Sequence, residues 1–326
     1  MRKIIGIGET VYDIVFRDGQ PQAGVPGGST FNTMISAGRC GADSCFLSEV
    51  GSDRIGSLIK EFMAGNGVST DYINTLPGKS PVSLAFLNAR NDAEYSFYRD
   101  SRESHPDFRY PQVAPDDIVV FGSFYALNRV VRPQVKAFLE YARSRGAILY
   151  YDVNFRPSHK KDLGECMDSI FENFSLAHIL RGSHEDFITL FEEGDPARVY
   201  DRWVGPRCSE FICTCGADPL SVRSPGFVKE YPVRKVSTVS TIGAGDSFNA
   251  GIAFALVKEG ITRNQVEKGL DERLWDALVQ CAVEFSSDCC ASMENYVSRE
   301  FGARMAGSLG RREPQDEVPE AVTGPS

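Results

Sequence analysis

Apolar runs along the chain alternate with amphipathic stretches, a pattern that predicts strands separated by helices. Regular alternation of this kind is typical of a parallel sheet with helices packed on its faces. The predicted strands are Lys3–Ile7, Asp43–Val50, Asp117–Phe121, Ala147–Asp152, Ala177–Leu180, Glu210–Thr214 and Leu220–Arg223. The predicted helices are Phe31–Arg39, Arg54–Asn66, Arg132–Arg145, Glu165–Asn173, Glu185–Phe191, Asp246–Glu259 and Asp271–Phe285. The sequence therefore predicts an α/β fold with a mostly parallel central sheet.

Two further runs, Val82–Asn88 and Ala93–Tyr98, show strand alternation on either side of a turn-prone segment. They predict an antiparallel hairpin, which is out of place in the main sheet and is typical of a lid over a site. The length of 326 residues favours one α/β domain, which we place at residues 1–306, with a lid from about residues 10–25 and 80–105. Residues 307–326 have almost no apolar side chains and are expected to form a disordered tail.

Composition and charge narrow the classes of function. Hydrophobic residues make up 42% of the chain, and no apolar run approaches the roughly 20 residues of a membrane span. The net charge is −9 and no basic stripe is present, so a small molecule is a better partner than nucleic acid or a membrane surface. The nine cysteines are an odd number in a chain too long to need disulfide staples, which predicts reduced thiols and a cytoplasmic location. Cys213 and Cys215 lack a second ligand pair at zinc spacing, which favours buried thiols over a metal site.

A glycine-rich turn, Gly243-Ala244-Gly245, lies directly before the predicted helix that starts at Asp246. Small residues at a helix start expose backbone N–H groups, and the helix dipole adds partial positive charge there. Such a site suits an anion, including a phosphoryl group in transfer. The P-loop pattern GxxxxGK[ST] is absent, and Gly6-Ile7-Gly8 lacks the third glycine of a dinucleotide motif.

Asp246 has two interpretations at this stage. It could cap the helix, which contributes about 1 kcal/mol. It could instead accept the proton of a substrate hydroxyl that attacks phosphorus. The helix N-terminus favours the ionised form of an aspartate, so we expect a weak base that takes the proton late.

The segment Ser240–Asp246 resembles the DTxGAGD signature of the ribokinase-like, or PfkB, family of carbohydrate kinases. Other elements that resemble this family follow in its order, and the resemblance covers roughly residues 3–300. They are Gly8-Glu9 with Asp13, Gly27-Gly28-Ser29-Thr30-Phe31-Asn32, the segment 50–56, Asp152-Val153-Asn154-Phe155-Arg156-Pro157, Ser183-His184-Glu185-Asp186 and Thr214-Cys215-Gly216-Ala217-Asp218. The resemblance implies a ribokinase-like fold, with a Rossmann-like sheet flanked by helices and a small β lid.

The resemblance also assigns roles to individual residues. It implies that Asp246 is the catalytic base and that Gly243, Ala244 and Gly245 form the anion hole. The residues implied for the substrate are Asp13, Gly27, Gly28, Asn32, Arg99, Asn154 and Arg156, the last near the transferred phosphate. The residues implied for the nucleotide are Ser183, Asp186, Thr214, Gly216, Asp218 and Asn295. ATP and Mg²⁺ are the implied cofactors, with the ion held through ATP and water near Asp186 and without a direct protein ligand.

Plainer interpretations stay open for several of these residues. Gly27-Gly28 could form only a turn, and Asp13 could be a carboxylate at a strand end without a role in binding. Residues 152–156 could be the end of a strand with solvated polar side chains. Three departures from the family pattern affect the prediction. Ser240 replaces the first aspartate of the signature, which argues against activation by potassium. Pro219 replaces a glycine and removes an N–H from the nucleotide segment. Ser183 replaces an asparagine, so the polar side chain at this position is shorter than in the family pattern.

Within the family, four segments look more similar to fructokinases and 2-keto-3-deoxygluconate kinases than to ribose or adenosine kinases. They are the start of the chain, the hairpin that ends in Tyr98-Arg99, the FGSFYAL stretch at 121–127 and the DVNFRP stretch. Arg99 could read a substrate hydroxyl or carboxylate, or it could be a solvated charge at a strand edge. We expect an ATP-dependent kinase that acts on a hydroxymethyl group of a small sugar, with fructose as the first choice. The alternatives are 2-keto-3-deoxygluconate or another sugar, and a regulator that binds without turnover. A homodimer through the lid is also compatible with the sequence.

Overall fold

A computed structural model of the chain describes residues 2–87, 93–99, 108–233 and 236–309. The strands in these ranges are β1 (Lys3–Ile7), β2 (Val11–Arg17), β3 (Gln20–Gly27), β4 (Asp43–Gly51), β5 (Val68–Ser69), β6 (Ile73–Leu76), β7 (Val82–Leu87), β8 (Ala93–Tyr98), β9 (Ile118–Gly122), β10 (Ile148–Asp152), β11 (Ile179–Ser183), β12 (Glu210–Cys215), β13 (Asp218–Ser224) and β14 (Phe227–Tyr231). The α-helices are α1 (Ser29–Arg39), α2 (Arg54–Ala64), α3 (Arg132–Ser144), α4 (Leu163–Leu176), α5 (His184–Phe191), α6 (Pro196–Val199), α7 (Ala244–Lys258), α8 (Arg263–Lys268), α9 (Glu272–Cys290) and α10 (Arg299–Ala306). Short 3₁₀ turns cover Phe124–Ala126 and Pro157–Asp162.

The main sheet has the strand order β14-β13-β12-β11-β10-β9-β1-β4-β5, and β6 pairs with β4. Every pairing from β12 to β5 is parallel, and β13 and β14 add an antiparallel edge. This architecture confirms the predicted α/β fold. The parallel register places Asp152 opposite Arg181, and Ser183 opposite Thr214. The carboxyl ends of parallel strands are where open α/β sheets bind ligands.

Helices cover the main sheet on both faces and enclose two apolar cores. The first core packs α1, α7 and α9 against the sheet and contains fully buried Phe31, Phe254 and Trp275. Helix α7 is buried from Ser247 to Leu256, and a Cβ atom on its Gly251 would lie 2.5 Å from the Cα of Ala282 in α9. Close packing of this kind resists displacement. The N-terminus of α7 is therefore held in one place relative to the sheet.

The second sheet is small and has the order β3-β2-β7-β8. Its β7–β8 pair is the predicted antiparallel hairpin, and β2 joins β7 in parallel. The predicted lid bounds include residues 88–92 and 100–107, which lie outside the described residues. Phe86, Phe97 and Tyr98 are exposed on this sheet. Exposed aromatic patches are typical of interaction surfaces, but the homodimer stays a prediction.

Some elements are absent from the sequence-based prediction. The short strands β5 and β6, the edge strand β14 and the helices α8 and α10 have too few apolar positions to give a clear period. Residues 307–309, which we assigned to the tail, form a turn after α10, and Leu309 packs against the first core. The rest of the predicted tail lies outside the described residues. In the ranges that the structure describes, no helix is both long and apolar enough to cross a bilayer.

Candidate active site

The glycine-rich turn forms the N-terminus of α7 at the carboxyl edge of the main sheet. Gly243 is the N-cap residue and has a φ of 78°, in the left-handed region that favours glycine. A Cβ atom at Gly243 would lie 2.1 Å from the carbonyl oxygen of Asn295, so the turn also needs glycine for space. The amide of Ala244 donates to the Thr241 carbonyl over 3.2 Å. The amides of Gly245 and Asp246 lie in the first helical turn, where a helix provides no acceptor of its own.

Asp246 is the third residue of α7 and faces α1. Its Oδ1 accepts a hydrogen bond from Ser29 Oγ, and its Oδ2 accepts one from Asn32 Nδ2, both over 2.8 Å. The hydroxyl of Thr33 donates to the Asp246 carbonyl oxygen over 3.0 Å. Because Gly243 is the N-cap and no side chain caps this helix, the capping interpretation of Asp246 is wrong.

The acidity of Asp246 also differs from our prediction. Burial raises the pKa of this carboxyl to about 6, against the opposing effect of the hydrogen bonds from Asn32 and Ser29. The negative charge of Asp152 raises the pKa further, and the positive charge of Arg156 lowers it. The prediction considered only the helix N-terminus, and burial outweighs it. Asp246 is a stronger base than an exposed aspartate.

Among the residues predicted for the sugar, Asn32 contacts Asp246, and Gly27 and Gly28 lead into the helix that bears Asn32. The carboxylate of Asp13 on β2 accepts a hydrogen bond from Ser83 Oγ on β7. A Cβ atom at Gly27 would lie 2.7 Å from Asp13 Oδ2, and one at Gly28, whose φ is 127°, would lie 2.5 Å from the Glu9 carbonyl oxygen. These two glycines are therefore more than a turn, because they let the chain pass against β2 before α1 begins. Burial raises the pKa of Asp13 to about 6, although the Ser83 hydrogen bond opposes the shift.

Arg99 at the end of β8 has a partner that the sequence did not suggest. Its Nη1 lies 3.0 Å from Glu9 Oε2, and its guanidinium carbon lies 5.2 Å from the centre of the Phe97 ring. The pair lines a cavity that is open to solvent. Tyr125 and Asn128 also line this cavity. Arg99 thus has an acidic partner, and both interpretations of its role, a substrate contact or a solvated charge at a strand edge, stay predictions.

Two of the residues predicted for the sugar and the transferred phosphate, Asn154 and Arg156, follow β10. Asn154 has a φ of 36°, an uncommon conformation for a residue other than glycine. Arg156 is exposed at the start of the second 3₁₀ turn, close enough to Asp246 to lower its pKa. Asp152, which the sequence placed in this motif without a role, is buried and accepts from Arg181 Nη1 and Asn249 Nδ2, both over 2.9 Å.

The residues predicted for the nucleotide come from three places along the carboxyl edge. Ser183 and Asp186 form the capping box of α5, and Asp186 Oδ1 also accepts from the Phe155 amide over 2.8 Å. Thr214 Oγ1 accepts from Arg181 Nη2 over 2.6 Å. Gly216, with a φ of 63°, makes the turn before β13, and Asp218 is exposed at the start of that strand. Asn295 contributes the backbone oxygen that packs against Gly243.

The sequence analysis missed several residues that complete this site. Ser29 and Thr33 orient Asp246, and Arg181 and Asn249 hold Asp152. A local signal existed for Arg181, which is a lone cation in an otherwise apolar strand. Asn249 had no such signal, because it lies inside a helix whose pattern is dominated by apolar residues.

Comparison with known proteins places the chain in a family. The family model described as pfkB family carbohydrate kinase matches residues 1–287. This chain belongs to the pfkB family. It is therefore a sugar kinase, a phosphotransferase, and the resemblance stated from the sequence is confirmed.

Relatives of this pfkB kinase include proteins named for different substrates. A fructokinase of Rhizobium leguminosarum is 27% identical over 282 residues, which cover 83% of this chain and 84% of the relative. An aminoimidazole riboside kinase of Salmonella typhimurium is 27% identical over 266 residues, which cover 78% of this chain and 81% of the relative. The names show that sugar kinases of this family are similar to the chain, without singling out one sugar.

Solved structures share the fold of this pfkB kinase. A fructokinase of Vibrio cholerae, bound to fructose, ADP and calcium, has a TM-score of 0.79 at 17% identity, with 95% of this chain and 99% of that chain covered. An aminoimidazole riboside kinase of Salmonella enterica, bound to aminoimidazole riboside and an ATP analogue, has a TM-score of 0.75 at 20% identity. The match covers 94% of this chain and 99% of that chain. These likenesses show the ribokinase-like fold.

The described part of this pfkB kinase contains no group of three or more histidine, cysteine or acidic side chains placed to hold a metal ion. Asp186 already uses both carboxylate oxygens, Oδ1 toward Phe155 and Oδ2 toward Ser183. Among the described residues Oδ1 accepts one hydrogen bond, so it keeps a second lone pair that can accept a hydrogen bond from water in the hydration shell of a magnesium ion. All nine cysteines are free of disulfides.

Proposed function

We propose that this kinase transfers the γ-phosphate of ATP to a hydroxymethyl group of fructose, with Asp246 as the base. The observation that carries the proposal is the pair of 2.8 Å hydrogen bonds that Ser29 and Asn32 donate to the Asp246 carboxylate. They hold the carboxylate beside the glycine turn, where we expect an acceptor hydroxyl to meet the transferred phosphate. Asn32 Oδ1 is buried and has no partner among the described residues, so it is available to accept a second sugar hydroxyl.

In the proposed reaction, the hydroxyl oxygen forms a bond to the γ-phosphorus and the bond from this phosphorus to the β,γ-bridging oxygen breaks, which releases ADP. The hydroxyl proton moves to Asp246. The amides of Gly245 and Asp246 stabilise the charge on the transferred group, and Arg156 supplies a further positive charge. Magnesium would neutralise charge on the ATP phosphates, reaching the site with the nucleotide and its waters near the start of α5 rather than through a direct protein ligand.

The Arg99–Glu9 pair supports a neutral ketose over a keto acid. A substrate carboxylate at this guanidinium would also meet the negative charge of Glu9, which lies 3.0 Å from Arg99. The fructokinase relatives support the same choice. The aminoimidazole riboside kinase relative, which has equal identity, supports a riboside as the second candidate.

An ADP-release screen tests the substrate. It would compare kcat/KM for fructose, ribose, 2-keto-3-deoxygluconate, tagatose phosphate, aminoimidazole riboside and nucleosides, in sodium and again in potassium buffer. We expect fructose to have the highest kcat/KM and, because Ser240 replaces the aspartate of the signature, little change with potassium. A tenfold preference for another acceptor would reject fructose but keep the kinase. No turnover with any acceptor would favour a binding regulator.

The raised pKa values predict the pH dependence. Asp246 must be ionised to accept a proton, and its pKa in the free protein is about 6. We expect kcat/KM to be constant above pH 7 and to fall as the pH drops through 6, and ionisation of Asp13 near the same pH should steepen the fall. The measurement is kcat/KM from pH 5 to 8, with circular dichroism as the control for folding. A flat profile down to pH 5 would contradict the assignment of Asp246.

A further inference from the structure

Arg181 lies at the centre of the carboxyl edge and joins three neighbouring segments. From β11, its Nη1 donates to Asp152 on β10 over 2.9 Å and its Nη2 donates to Thr214 on β12 over 2.6 Å. A Cβ atom at Gly245 would lie 3.1 Å from Nη2 and 3.2 Å from Nη1. The absence of a side chain at Gly245 therefore makes room for the guanidinium directly behind the proposed anion hole.

The contacts of Arg181 continue into the helix that bears the base. Asn249 of α7 donates to Asp152 Oδ2 over 2.9 Å, and the hydroxyl of Tyr150 donates to Asn249 Oδ1 over 2.8 Å. Arg181 is 8% exposed, and the other three residues are buried more deeply. The hydrogen bonds thus connect strands β10 and β12 to α7 through one buried cation. Buried networks of this kind fix the relative positions of their members.

The same guanidinium balances an excess of negative charge. Asp152 and Asp186 lie near Arg181, and the charge of Asp152 raises the pKa of both Asp186 and Asp246. The positive charge of Arg181 has the opposite effect on the pKa of Asp186. A triphosphate that approached three carboxylates without a nearby cation would be repelled. Arg156, which lowers the pKa of Asp246, is exposed to solvent.

We propose that Arg181 is a positioning residue for the terminal phosphate of the nucleotide: it fixes Asp152 and Thr214 on either side of the glycine turn and offsets the carboxylates around it. This inference rests on the proposed phosphoryl transfer at that turn. A buried arginine beside an aspartate is often only a structural ion pair. The test must therefore separate nucleotide positioning from stability.

The experiment compares Arg181→Met, Arg181→Lys and the double variant Arg181→Met/Asp152→Asn. Affinity for the non-hydrolysable ATP analogue AMPPNP, with magnesium and without sugar, is measured by calorimetry, and the melting temperature by circular dichroism. We expect Arg181→Met to weaken AMPPNP binding at least tenfold and to move the acid limb of kcat/KM to higher pH. Arg181→Lys keeps the charge, so its pH limb should stay near that of the wild type. The double variant removes the uncompensated buried carboxylate, and we expect it to regain melting temperature but not affinity.

Arg132 provides the matched control. It is also 8% exposed, pairs with a carboxylate, Glu172, over 2.6 Å, and has a buried Nε without a hydrogen-bond partner in the described residues, as does Arg181. Arg132→Met should lower the melting temperature and leave AMPPNP affinity unchanged. If the double variant binds AMPPNP within twofold of the wild type, Arg181 is structural and the inference is rejected. If the wild type binds AMPPNP but phosphorylates no acceptor, the proposed function fails, while the affinities still decide the role of Arg181.

Discussion

Replacing Asp246 with asparagine is expected to lower kcat about 10²- to 10⁴-fold, the range that general base catalysis contributes. Asparagine has nearly the same shape and can still accept the hydrogen bond from Ser29, and its NH₂ can be accommodated if the Asn32 amide turns its Oδ1 toward it. It cannot take the proton of the acceptor hydroxyl. The variant should therefore bind sugar and AMPPNP nearly as well as the wild type. Steady-state kinetics and calorimetry on the same preparation measure the two effects.

Asp271→Ala is the control for this prediction. Asp271 is the N-cap of α9 and accepts from the Leu274 amide over 2.9 Å, so its loss should cost about 1 kcal/mol of folding free energy without changing kcat. The two aspartates thus separate a catalytic carboxylate from a capping one. Near-normal turnover by Asp246→Asn would show that no base at this position is needed.

Gly243→Ala is expected to have the second largest effect. An added Cβ would meet the Asn295 carbonyl at 2.1 Å, and the φ of 78° disfavours alanine in any case. Because the neighbouring atom is backbone and α7 is packed along its length, the turn itself must move. Loss of a single donor from such a hole typically costs 10²- to 10³-fold in kcat, and we expect at least a 10²-fold loss here.

Gly260→Ala tests whether the effect comes from the turn or only from backbone strain. Gly260 follows the other end of α7 and also has a positive φ, 65°, but no atom lies within 4 Å of its added Cβ. This variant should lose about 1 to 2 kcal/mol of folding free energy and keep its kcat. Equal losses of kcat in the two variants would point to instability of α7, and full activity of Gly243→Ala would remove the turn from the mechanism.

The main-sheet strands β1, β4 and β9 to β13 and the long helices could be predicted from the sequence, because burial imposes a period on their apolar positions. Strand β1 was predicted with its observed bounds, and α7 was predicted to begin within two residues of its observed start. The prediction of β11 was less accurate. Its apolar run suggested Ala177–Leu180, but the strand covers Ile179–Ser183, since polar Arg181 and Ser183 continue the hydrogen-bonded ladder into the site.

The features of the candidate site also fall into those that the sequence could predict and those that it could not. The glycine turn and Asp246 could be found locally, since helix-start chemistry depends on neighbouring residues. The pairing of Arg99 with Glu9 could not be found in this way, because the two residues lie far apart in the sequence. The raised pKa of Asp246 was missed for a similar reason, because burial is a property of the packed chain.

The sequence by itself determined the fold class, the family and the residues of the turn, because these depend on periodicity and on short contiguous motifs. Only the tertiary structure decided which side chains surround the glycine turn and Asp246. Ser29 and Asn32 lie 217 and 214 residues from Asp246, and the partners of Arg181 lie 29 and 33 residues away on separate strands. Contacts over such separations follow from the packing of α1 and α7 and from strand register, and no local pattern encodes them.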